Sequence, residues 1–102
     1  MLLLLSHAFA ADPGAGKLLF EANCTACHGI AGDGRGPAAV ALKMKATDFT
    51  VAAWWSTRTD TDVAASIRVG KAGTAMSAFA SLTEVQAGDI AAYLRPLSKP
   101  AP

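Results

Sequence analysis

Of its 102 residues, only two are cysteine, Cys24 and Cys27, and only two are histidine, His7 and His28. So few thiols exclude a disulfide-dense scaffold. A single bridge across the two-residue gap between Cys24 and Cys27 would constrain the unfolded chain very little. Long apolar runs are missing too. No stretch approaches the ~20 residues a membrane-spanning helix needs, so a bilayer anchor is not expected. Charge is sparse: 17% of residues are charged and the net charge is +1. No basic stripe points to nucleic acid or to a membrane surface. Nothing marks a nucleotide or an organic substrate. Strand-like alternation of β-branched residues never runs for long, which argues against a sheet.

Large apolar side chains are also scarce. The 52% hydrophobic content leans on 23 alanines and on the leucines of the N-terminus. From Asp12 onward there are only 17 residues of Leu, Ile, Val and Phe. Alanine suits helices but buries little surface. Domains this small commonly need a metal, disulfides or a cofactor to complete them, so something other than side chains is expected at the centre.

The N-terminus reads "MLLLLSHAFAADPG". Its apolar run ends in Ala8-Phe9-Ala10, the small-x-small pattern at which signal peptidase cleaves. Residues 1–10 are expected to be a secretory leader, with the mature chain starting at Ala11 or Asp12. The run is short and no Lys or Arg precedes it, as in a truncated leader. A disordered tail is the plain alternative. One domain is expected over residues 11–97, followed by a flexible tail at 98–102, "SKPAP".

Helical segments separated by Gly- or Pro-containing breaks account for the rest. The first covers about 14–27, with Leu18, Leu19 and Ala22 at helical spacing. Residues 29–37 hold four glycines and must be loop, followed by a short apolar turn. In "TDFTVAAWW", Thr47 or Asp48 is expected to cap a short helix. Val63 and Ile67 mark the next helix, with Gly70 as its stop. The last opens with Thr83-x-x-Gln86, a capping box, runs through Val85, Ile90, Tyr93, Leu94 and Leu97, and is limited by Pro96.

The chemistry concentrates in "NCTACHGIAGDGRGP", residues 23–37. A structural zinc site needs four ligands, and Cys24, Cys27 and His28 supply three at most. A thioredoxin-like disulfide wants its Cys-x-x-Cys at a helix N-terminus in a βαβ setting, whereas this pair ends a helical segment. A Cys–His hydrolase needs an orienting third group and an oxyanion site, and neither is marked. Cys-x-x-Cys-His is the attachment pattern of c-type haem. Two thiols spaced by two residues add across two vinyl groups of the porphyrin, and the adjacent histidine reaches iron. Attachment happens outside the cytoplasm, so the leader and the thin core agree with this reading.

Cys24-Thr25-Ala26-Cys27-His28-Gly29, "GDGRGPAA", "TDFT" and a methionine before the last helix together resemble the class I monohaem c-type cytochromes. The likeness covers roughly residues 14–97 and is nearest to periplasmic bacterial domains that act beside haem-copper oxidases. It implies an all-α, cytochrome c-like fold of about four to five helices around one covalent haem c. It also implies that the carbonyl of Pro37 accepts the Nδ1–H of His28, and that Gly16 lets the C-terminal helix cross closely, with Phe20 and Tyr93 at the crossing.

Iron needs a ligand opposite His28. Met76 stands between a helix stop and the last helix, with Gly70 and Gly73 suited to a loop against a flat ring. The family likewise places its methionine in such a loop, usually before a proline; here Ser77 follows. Met76 is the expected ligand, with Met44 or an open or lysine-ligated site as alternatives. Trp54, Trp55, Arg58 and Arg68 are candidates for the haem propionates, and Asp33 reads as a turn former. Ala26, Ile30, Ala31, Ala39, Ser77 and Ala78 are expected at the exposed haem edge. Around them, Lys17, Lys43, Lys45 and Lys71 serve either docking or solubility.

The resulting expectation is an exported, periplasmic single-electron carrier of a respiratory or related chain, and not an enzyme. Its partners would be redox proteins such as a terminal oxidase, a cytochrome complex or a dehydrogenase. A haem-bearing subunit of a larger, membrane-associated complex is the alternative, and a haem enzyme or gas sensor with a labile methionine is a further one.

Overall fold

The computed structural model of the protein describes residues 10–100. The leader reading and His7 therefore lie outside the described residues. Six helices follow in order: α1 (Pro13–Asn23), α2 (Thr25–His28), α3 (Pro37–Ala41), α4 (Ala52–Trp55), α5 (Asp60–Val69) and α6 (Glu84–Leu94). A 3₁₀ turn, Arg95–Leu97, extends α6. No strand forms among the described residues, and none of these helices is long and apolar enough to cross a membrane.

Each long helix starts where a side chain can take up an open backbone N–H. Asp12 accepts from the N–H of Ala15, and Pro13 follows at the first helical position. Thr59 with Asp62 and Thr83 with Gln86 form reciprocal capping boxes on α5 and α6. The sequence announces the second of these; the first was not anticipated. Gly70, at φ +73°, ends α5 as expected.

The expected helix over 14–27 divides at Cys24, which leaves helical geometry at φ −120° and ψ −21°. The Asn23 side chain donates to the Leu19 carbonyl and Thr25 Oγ1 donates to that of Glu21. These polar groups bond back to carbonyls at the end of α1, and the attachment motif continues in a separate single turn, α2. The cap expected at Thr47 or Asp48 does not form. Asp48 instead accepts from the N–H and the hydroxyl of Thr50 in a tight turn, and α4 begins only at Ala52, after Val51.

Helices α1 and α6 cross at Gly16. A Cβ there would lie 1.9 Å from the Asp89 carbonyl oxygen, so only glycine permits the contact. Phe20 is fully buried beside it, its ring 5.7 Å from that of Tyr93. The crossing is also fixed by Asp89, a buried carboxylate that accepts from the backbone N–H of Asp12 at 2.8 Å. Helix α5 packs on α6 through Val63 and Ile67, which join Phe20, Phe49, Trp55, Ile90 and Leu94 in the core. Val85, one of the apolar residues along α6, is 69% exposed. The expected tail is tied down at its start: Lys99 donates to the Thr50 carbonyl and pairs with Val51 in a parallel bridge.

Candidate haem-binding cavity

Two adjoining recesses open between α1–α2, α5 and the loop before α6. The larger, about 290 Å³, is walled by apolar side chains including Phe20, Phe49, Trp54, Val63, Ile67, Ile90 and Leu94. The smaller, about 150 Å³, adds Cys27, Ala75, Ser77 and Phe79. Cys24, His28, Ile67 and Met76 line both. Four of the five expected site residues, Cys24, Cys27, His28 and Met76, are thus brought together from α1–α2 and from the loop after α5. Pro37 lines neither recess. Met44 lines neither as well; it is half-buried, and its N–H donates to the Ala39 carbonyl.

The glycine-rich loop after α2 holds the motif in place. Gly34 donates to the His28 carbonyl and Gly36 to that of Cys27, capping the end of α2. Gly34 stands at φ +81°, where an L side chain would be strained. Asp33 accepts from the N–H of Arg35, the turn-forming role expected of it.

His28 is half-buried, and its Nδ1 lies 3.2 Å from the carbonyl oxygen of Thr47. A carbonyl only accepts, so Nδ1 carries the proton and Nε2 keeps its lone pair. Here the family-based expectation is corrected: the acceptor is Thr47, not Pro37. Pro37 opens α3, a position suited to its fixed φ and missing N–H, and its carbonyl runs along that helix. The Phe49 ring packs against the imidazole with centroids 4.8 Å apart. Burial lowers the proton affinity of His28, and the bond to Thr47 partly restores it. Burial pushes the Cys24 thiol up to about 11, so at neutral pH it is a neutral group. Both cysteines are free thiols.

Of the propionate candidates, Trp54 and Arg58 line the larger recess. The Arg58 guanidinium lies 4.5 Å over the Trp54 ring and donates to the Trp54 carbonyl. Trp55 is committed elsewhere, donating its indole N–H to the Phe49 carbonyl. Arg68 faces a different groove, between α5 and α6, where it meets the Leu82 carbonyl and Glu84. On the expected haem edge, Ala26, Ile30, Ala31, Ser77 and Ala78 are exposed, but Ala39 is buried within α3.

The residues fit a covalent haem. Two free thiols, a neutral imidazole and a thioether face shared, largely apolar space. The cytochrome c family model matches residues 14–98. The chain belongs to the cytochrome c family. With membership come covalent haem c, consistent with the Cys24-x-x-Cys27-His28 motif, and haem-based electron transfer. Among solved structures, this cytochrome c is similar to a chain of the Kuenenia stuttgartiensis reducing HAO-like protein complex Kustc0457/Kustc0458. That match has 26% identity and a TM-score of 0.71, and covers 82% of this chain but 41% of the other. The present chain thus spans well under half of that relative's length. It is also similar to the KustC0563 c-type cytochrome, at 24% identity and a TM-score of 0.70, over 82% of this chain and 98% of that one. This second likeness shows the fold. A comparison with curated proteins finds no match.

Thr47 and Phe49 escaped the sequence reading as site residues. Thr47 acts through its backbone carbonyl, which leaves no side-chain signature. Phe49 was visible only as the lone aromatic of "TDFT".

Proposed function

We propose that this cytochrome c is a single-electron carrier with one haem, bound through Cys24 and Cys27 and ligated by His28 and Met76. The carrying observation is that His28 and Met76, 48 positions apart in the chain, line the same two recesses as Cys24, and that Cys27 joins them in the smaller one. When bound, the haem iron supplies a one-electron ferrous–ferric couple. Cys24 and Cys27 fix the ring's position. His28 offers Nε2 while its Nδ1–H is held by Thr47. Met76 offers a soft sulfur, a ligand that raises the potential. The apolar walls keep water from the centre, which also tunes the potential. Trp54 and Arg58 present an indole and a cation to the propionates.

The exposed small residues Ala26, Ala31, Ser77 and Ala78 suit a transient contact with a redox partner such as a terminal oxidase, a cytochrome complex or a dehydrogenase. Export to the periplasm accords with the leader-like N-terminus and with haem attachment outside the cytoplasm.

The test is the optical spectrum of the oxidised protein and of its Met76→Ala variant. An iron–methionine charge-transfer band in the wild type, lost on substitution, supports the assignment. A band that survives the substitution, or a high-spin wild type, overturns it. A second reading, as a subunit of a larger assembly, is favoured by the likeness to one chain of a multi-protein complex. Stoichiometric co-purification with a partner would select it.

A further inference from the structure

The segment 47–49 meets His28 on two sides. The Thr47 carbonyl faces Nδ1 at 3.2 Å, and the Phe49 ring covers the imidazole with planes 30° apart. This segment lies outside any helix, so contacts from elsewhere decide where it sits. The Phe49 N–H donates to the Gly32 carbonyl at 2.7 Å. The buried Trp55 indole N–H donates to the Phe49 carbonyl at 2.9 Å. Trp55 is held in turn by Arg95, whose guanidinium lies 4.6 Å over its ring. Arg95 also donates to the Arg58 carbonyl at 2.8 Å and pairs with Asp60.

We propose that residues 47–49 form a clamp that sets how strongly His28 donates to iron, and that Trp55 is the positioning residue that holds this clamp. The proposal rests on His28 being an iron ligand. A hydrogen bond from Nδ1–H makes the ligating nitrogen of an imidazole more basic. A stronger nitrogen donor favours ferric iron, whereas the thioether of Met76 favours ferrous. The clamp therefore opposes Met76 in setting the couple. A loosened clamp shifts the balance toward ferrous iron and frees the Nδ1 proton to exchange with water.

The test uses the holoprotein and two readouts: proton NMR of the ferrous, diamagnetic state and the midpoint potential. In the wild type, the Nδ1–H of an iron-bound His28 should be protected and show cross-peaks to Thr47 or Asp48. Trp55→Phe keeps the packing but removes the donor. It should speed exchange of that proton by about fivefold to tenfold, the size expected for weakening one neutral hydrogen bond. It should also move the ferrous–ferric equilibrium about threefold to tenfold toward ferrous, tenfold being about 59 mV for one electron. Arg95→Lys keeps the charge but loses the planar stack, and should move both readouts in the same direction by less. Thr83→Ala weakens the cap of α6, does not touch the clamp, and should move neither. The proposal is overturned if a folded Trp55→Phe leaves both readouts at wild-type values, if Thr83→Ala moves them as far, or if the wild-type proton contacts Pro37. A wild type without iron-bound His28 removes the functional reading itself. An iron-bound His28 with unmoved variants removes only the clamp.

Discussion

At His28, burial and hydrogen bonding act on the proton in opposite directions, and burial wins. The folded chain therefore binds this proton less readily than the unfolded chain does. In the haem-free chain this one group therefore opposes folding increasingly as pH drops below the ordinary histidine value of about 6.5, because protonation then favours the unfolded state. In the holoprotein, the low-spin spectrum should persist well below pH of about 6.5 during acid titration. A spectral loss centred at or above that value would contradict the assignment. Cys24, Cys27 and His28 were legible at this scale because covalent attachment demands particular side chains at a fixed spacing. Met76 lines the same recesses as Cys24 and His28, and it is the ligand proposed because few soft donors are on offer. The Thr47 carbonyl was not, since every residue has one and only the folded path of the chain selects it.

Two helical glycines show how differently one residue type is used. Gly16 in α1 lies against the backbone of α6, and Gly88 in α6 has nothing within 4 Å of an added Cβ. Gly88→Ala should stabilise the protein by about 0.5–1 kcal/mol, through helix propensity alone. Gly16→Ala gains the same propensity but forces the crossing apart, and overpacking of that kind costs about 1–3 kcal/mol. Thermal unfolding of the two variants should therefore move Tm in opposite directions, and a shared direction would show the crossing to be looser than described. Capping was partly legible in the same way: Thr83-x-x-Gln86 stands out in the sequence. The break at Cys24 was hidden, because it arises from Asn23 and Thr25 bonding back to the carbonyls of α1 and not from a glycine or proline.

Across the whole molecule, the all-helical reading and the thin core were both visible in composition, since alanine-rich helices leave space that side chains do not fill. Without haem, the walls of the two recesses face each other across that space with no packing partner. The apoprotein should accordingly melt without a cooperative transition in far-UV circular dichroism, and a sharp native-like melt would count against haem as the missing core. What composition could not disclose is how the stretch after α6 is used. Lys99 is fastened to Thr50, one residue from the ring that covers His28. An affinity handle or reporter fused directly after Lys99 would tug on that fastening, so a purification tag or electrode tether joined there calls for a compliant spacer.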